Sequence, residues 1–238
     1  MLVMVPVGTA HAADLRFVHG IPGEGPAALE VNGSAGTEVG FGEIGPYEEA
    51  PNGSVTLALG DVEVTEELSA AGAYTAVAWR RDADVMLTLF RDGPAGAGQA
   101  KLRAVQVAGE LGEVDVTLGR DKVASSIERG TASDYMTVEP GTYDLRVTRA
   151  GGGGSPLGAS NGVSLAAGTS STALVLGSGG APLEVLIATD TVEAPAEGPA
   201  TGLGGLDDGP PLLAALLAAL AAGTLGAGAF RLARRRGA

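Results

Sequence analysis

Few residues in this 238-residue chain have the types and spacing that chemistry requires. Pro199-Ala200-Thr201-Gly202 comes nearest. Gram-positive sorting signals read Leu-Pro-x-Thr-Gly, then an apolar span, then basic residues, and sortase cuts after the threonine. Position 198 is Gly198 rather than leucine, and nine residues separate Gly202 from the apolar span. The motif therefore stands as an alternative to a retained anchor. His19 is the only histidine beyond residue 12, and the chain has no cysteine. A lone histidine cannot assemble a zinc site by itself, and no serine sits in a nucleophile motif, so His19 reads as a structural hydrogen-bonding group at the end of a strand. The pairs Asp82/Asp84, Glu48/Glu49 and Glu66/Glu67 carry the oxygen ligands that calcium takes, but none has calcium-loop spacing; they read as solvated faces. Asn32-Gly33-Ser34 and Asn52-Gly53-Ser54 fit the glycosylation triplet and are better explained as turns. The residues thus predict no catalytic, metal-binding or cofactor-binding group, and no cofactor.

The elements that would position these residues are short strands. Thirty-nine glycines and 13 prolines punctuate the chain, and aromatic residues number only nine. From Asp14 the segments LRFVHG, ALEVNG, TEVGF, SVTLALG, VEVTEEL, AYTAVAWR and VMLTLFR follow at intervals of about ten residues, the rhythm of an antiparallel sandwich. In SVTLAL, Val55, Leu57 and Leu59 face one way and Ser54, Thr56 and Ala58 the other. Asn32-Gly33 suits a hairpin turn that needs positive φ, and Pro140-Gly141 a tight turn in which Gly141 is free to take it. After that turn, Tyr143, Leu145 and Val147 should point inward and Asp144, Arg146 and Thr148 outward, with residues 151–158 as a hairpin loop. Without cysteine, no disulfide supports the fold, and core packing must suffice.

The two ends frame this body. Residues 1–12 hold an apolar run closed by Ala10-His11-Ala12, a signal-peptidase pattern that places cleavage between Ala12 and Ala13, although the basic leader is missing. Residues 191–211 form a Pro/Gly/Ala stalk. Residues 212–230 then run nineteen positions without a charge, about 28 Å as a helix, close to the roughly 30 Å of a bilayer core. Six leucines supply about −3 kcal/mol of insertion energy, a modest figure. Arg231, Arg234, Arg235 and Arg236 in the last segment, 231–238, orient the helix with the body outside. The body holds all 28 acidic residues against eleven basic ones, a net of −17, so a nucleic-acid partner is excluded.

The body also repeats itself. LRFVHGIPGEGPAALEVNG aligns with LRAVQVAGELGEVDVTLGR, and EELSAAGAYTAVAWRRDADVMLTLFRD with NGVSLAAGTSSTALVLGSGGAPLEVLIATD, each second stretch closing on an aspartate, Asp92 and Asp190. Two tandem β-sandwich (Ig-like) units follow, 13–92 and 101–190, joined by a glycine-rich linker at 93–100.

These stretches carry a resemblance. LRAVQVAGELGEVDVTLG, RGTASDYMTVEPGTYDLRVT and SLAAGTSSTALVLG resemble the bacterial domain of unknown function 4397, and LRFVHGIPGEGPAALEVNG with AAGAYTAVAW extends it to the first unit. In that unit EIGPYEEAPNGSVTLAL replaces the Ser-Asp-Tyr stretch and the turn after it. The resemblance implies paired β-sandwich-like domains on exported surface proteins and supplies no catalytic residue. The expectation is a non-enzymatic cell-envelope protein, single-pass in the membrane with its domains outside or linked to the cell wall. It would serve adhesion, envelope structure or capture of an extracellular protein or glycan. A sortase-processed wall protein, and an extracellular hydrolase or calcium-dependent carbohydrate binder, are the alternatives.

Overall fold

A computed structural model describes residues 12–94, 96–109, 111–151, 154–177 and 183–190. Residues 1–11 of the expected leader (1–12), the expected stalk (191–211) and span (212–230), the tetrapeptide 199–202 and the terminal arginines lie outside the described residues. Among the described residues there is no helix, and hence none long and apolar enough to cross a membrane.

The first half contains β1 (Ala13–His19), β2 (Ala27–Val31), β3 (Ser34–Val39), β4 (Glu48–Ala50), β5 (Gly53–Leu59), β6 (Val62–Leu68), β7 (Ala73–Arg81) and β8 (Asp84–Arg91). They form two sheets, ordered β4-β1-β7-β8 and β3-β2-β5-β6. The second half contains β9 (Ala100–Gln106), β10 (Val114–Leu118), β11 (Asp121–Ile127), β12 (Thr131–Ala132), β13 (Met136–Val138), β14 (Gly141–Arg149), β15 (Gly158–Leu165), β16 (Ser170–Leu176) and β17 (Glu184–Asp190). Its sheets run β12-β9-β16-β17, with β13 also paired to β9, and β11-β10-β14-β15.

The mainly β expectation holds, but its purely antiparallel pairing does not. β1 pairs with β7 in parallel, and β9 with β16 in parallel. The strands beside β1 in sequence leave for the other sheet, so β1 is flanked by a strand that returns in the same direction after a long excursion. Periodicity reports which face is buried and carries no information on strand direction.

Both inner strands of each half are buried on two faces. In β1, Leu15 and Phe17 join an apolar cluster with Leu29, Val39, Val55 and Leu57, drawn from both sheets of the first half. In β9, Leu102 and Ala104 do the same with Val114, Val116, Leu145 and Val147 in the second. The alternate residues meet in a third cluster: Val18, Val77, Trp79 and Phe90 from the first half, Val105, Val107, Leu174 and Leu176 from the second. The sheets that carry β1 and β9 therefore pack on each other.

Local expectations fare well. Asn32 and Gly33 turn β2 into β3 with φ of 51° and 78°; positive φ at both positions matches the right-handed twist of the flanking strands. Leu145 and Val147 are buried and Tyr143 is half-buried, while Asp144 and Arg146 are exposed. β14 pairs with β15, as the expected hairpin requires; residues 152–153 of its connection lie outside the described residues. Gly141 is a correction, because it does not take positive φ, whereas Gly53, at the corresponding crossing between sheets, does (φ 90°).

Candidate functional site

The alternation that sends Leu15 and Phe17 into one core sends Arg16 out of the other face of β1, where it is only 4% exposed. Its Nε donates to Thr75 Oγ1 on β7 at 2.9 Å and its Nη1 to the Thr189 carbonyl at 2.9 Å. Its Nη2 donates to Asp190, 174 residues away. Arg103, on β9, repeats the arrangement with the halves exchanged. Its Nε donates to Thr172 Oγ1 (3.0 Å), its Nη1 to the Arg91 carbonyl (2.7 Å), and its Nη2 to Asp92 (2.6 Å).

Two tyrosines complete the site. Tyr47 donates its hydroxyl to Asp92 at 2.7 Å, and Tyr135 to Asp190 at 2.6 Å. Each ring also lies under a guanidinium, Arg16 at 4.6 Å from the Tyr47 centroid and Arg103 at 4.7 Å from that of Tyr135. Thr75 donates to Asp92 (2.8 Å) and Thr172 to Asp190 (3.1 Å). Eight side chains thus form two interlocked copies of one motif, and each arginine reaches across to the aspartate of the other half.

The electrostatics follow from burial. Two carboxylates share one buried site, so burial first and the nearby Asp190 second push the Asp92 carboxyl above its ordinary range, with Arg16 offsetting only part. Burial also drives both phenols well above the usual tyrosine value, reinforced by their carboxylate acceptors. Each phenol is held protonated, and each carboxylate accepts from an arginine, a tyrosine and a threonine. The arrangement joins the halves through Arg16–Asp190 and Arg103–Asp92.

Glycines let the halves approach. A Cβ at Gly130 (φ 81°) would lie 2.4 Å from the Trp79 ring of the other half. Gly42 (φ 75°) stands at the equivalent place, where a Cβ would meet the Glu184 carboxylate at 3.0 Å. The equivalence extends without a gap from Gly42 to Gly53 and from Gly130 to Gly141. Gly42 N–H donates to the His19 carbonyl and Gly130 N–H to that of Gln106. Tyr47 and Tyr135 precede β4 and β13, which pair with β1 and β9 in the same register. EIGPYEEAPNG is thus the structural counterpart of the Ser-Asp-Tyr stretch, which sequence comparison alone treated as replaced. The signal was the tyrosine five residues after each glycine.

The other sequence candidates do not assemble. His19 is buried at the end of β1, its Nδ1 accepting from the Ile21 N–H at 3.3 Å. Glu48 accepts from the Thr37 N–H at 3.1 Å, bridging β4 to β3. Asp82 lies at positive φ in the β7–β8 turn, 3.9 Å from Arg129. Asn32 Oδ1 accepts from the Thr56 N–H at 2.8 Å. Ala12 is half-buried, and Ala13 opens β1 fully buried. Among the described residues, no three histidine or carboxylate groups come together as metal ligands.

Two grooves open to solvent at matching places. One, of about 360 Å³, lies between β3 and β4, with Leu29, Val31 and Val39 in its floor and Glu48 and Glu49 on its rim. The other, of about 510 Å³, lies between β11 and the segment entering β13, bordered by Ser125, Glu128 and Asp134.

A family model described as "Domain of unknown function (DUF4397)" matches the chain twice, over residues 13–117 and 109–201. No curated protein matches.

Proposed function

The chain belongs to the DUF4397 family, of which it carries two tandem copies, and from that premise we propose that it is a non-catalytic protein of the cell envelope. It displays two β-sandwich (Ig-like) domains as a single rigid body, for adhesion, envelope structure or capture of an extracellular protein or glycan. The observation that carries this reading is the central cluster, in which Arg16–Asp190 and Arg103–Asp92 pair across the two copies while each tyrosine donates to the aspartate of its own copy. What remains for a ligand is the outer surface, where each copy leaves a groove within or near the roughly 300–1,000 Å³ range of small-ligand sites.

The location rests on the sequence at the two ends. The family match and the first strand both begin at residue 13, which fits removal of a leader there. Residues 212–230 serve as a single membrane span, with Arg231, Arg234, Arg235 and Arg236 inside and residues 191–211 as the stalk. Protease added to washed cells should release a fragment that ends in the stalk, and detergent alone should extract the intact chain. Recovery of the chain from cytosol would sink the proposal. Extraction only after wall digestion would instead favour sortase cleavage at Thr201. A glycan and peptide array probed with residues 13–195 then identifies the class of ligand.

A further inference from the structure

The buried face between the copies has a property that a one-off interface lacks. Each copy contributes one arginine, one aspartate, one tyrosine and one threonine, and the pairs are reciprocal: Arg16 with Asp190, Arg103 with Asp92. The apolar surround is matched as well, Val18 and Val77 against Val105 and Leu174, with a left-handed glycine at the same place in each copy. This is the pattern of a two-fold interface, in which a patch is complementary to itself. A single covalent connection joins the copies, the seven residues from Gly93 to Gln99.

We infer that this face is a self-complementary pairing surface, and that its partner in trans is a second copy of the same chain. When the copies within one chain part, the first copy of one molecule seats on the second copy of another, and the exchange closes as a two-fold dimer. Every contact of the closed dimer is one the monomer already makes, so the two states differ chiefly in the connector and in concentration. A connector of this length gives an effective concentration on the order of 1 mM within one chain. Exchange therefore becomes competitive only where chains are crowded, or where the connector is too short to close. This goes beyond the envelope reading and does not depend on it.

Complementation between two variants of the full chain tests the inference. In Asp92→Arg, a cation faces Arg103 of the second copy and also Arg16 of its own copy, which lies 3.9 Å from Asp92; in Arg103→Asp, a carboxylate faces Asp92. Each variant alone should open and expose Trp79, the only tryptophan, which is now 1% exposed in this face. An equimolar mixture should close. Exchange sets the arginine placed at position 92 against the aspartate placed at position 103, and leaves the native Asp92–Arg103 pair in the other interface. The expected result is a return of Trp79 emission to the blue and a doubling of mass by light scattering. A mixture whose emission is the average of its parts overturns the inference, as do variants that each keep Trp79 buried as monomers. Deleting residues 94–98 tests it with the native face intact: the expected product is a dimer with Trp79 buried at about 10 µM, a hundredfold below the tethered value. A monomer of that variant overturns it too, whether Trp79 is buried or exposed.

Discussion

Removing the Asp92 side chain tests the central cluster most directly. The Asp92 carboxylate is fully buried and takes hydrogen bonds from Arg103 (2.6 Å), Tyr47 (2.7 Å) and Thr75 (2.8 Å). In Asp92→Ala, the Arg103 guanidinium loses its counter-ion at a site where its side chain is 6% exposed. Breaking one partner of such a pair costs about 3–5 kcal/mol. The stranded Tyr47 and Thr75 hydroxyls add an amount that is not additive with it. About 4 kcal/mol is a large part of the roughly 5–15 kcal/mol that holds a domain folded. Urea unfolding followed at once by Trp79 emission and by far-ultraviolet circular dichroism reads the result. The Trp79 transition should shift to lower urea and precede the loss of β signal, because each copy keeps its own apolar cluster. Replacing both partners, Asp92→Leu with Arg103→Met, should recover most of the loss, since an apolar pair of similar volume leaves no buried charge. An Asp92→Ala variant within about 1 kcal/mol of the parent would refute the reasoning.

Three further outcomes are expected. Gly130→Ala should cost about 2–3 kcal/mol, combining positive φ with a Cβ 2.4 Å from Trp79, whereas Gly42→Ala should cost nearer 1 kcal/mol because only the mobile end of Glu184 stands in the way; urea midpoints rank them. Because the Tyr47 and Tyr135 pKa values are raised in the folded state, their contribution is full below the unfolded value of about 10 and is lost as pH rises beyond it. The decline is at most about 1.4 kcal/mol per pH unit for each tyrosine and less with solvent screening, and the double Tyr→Phe variant should flatten it in alkaline urea melts. The Asp92 pKa is also raised, so the folded state takes up the proton first. Its contribution should grow as pH falls through the folded value, be complete below about 3.8 and vanish in Asp92→Asn, as melting temperature against pH will show.

Much of the strand content was legible because apolar and polar residues alternate where one face is wet, as in Val55 to Leu59 and Tyr143 to Thr148. The short β4 and the β12–β13 segment were not, since two or three residues of Glu-Glu-Ala or Met-Thr-Val carry no period. The buried arginines were missed for a related reason. β1 and β9 are covered on both sides, and a strand covered on both sides reads as nearly continuous apolar sequence, in which one arginine suggests an exposed position.

By itself, the order of residues determines the β character, the punctuation by glycine and proline, the duplication, and the recurrence of Asp92 and Asp190 at the close of each copy. These are local or repeated properties, written wherever the same short pattern occurs. Only the tertiary structure decides that Asp190 meets Arg16 and that Asp92 meets Arg103, because those contacts depend on the parallel placement of β1 beside β7 and of β9 beside β16, and on two sheets meeting face to face. Side-chain alternation assigns a residue to a face. What lies against that face is decided by packing among elements up to 174 residues apart, and there four charges with no apparent role in the linear chain become the junction between the two copies.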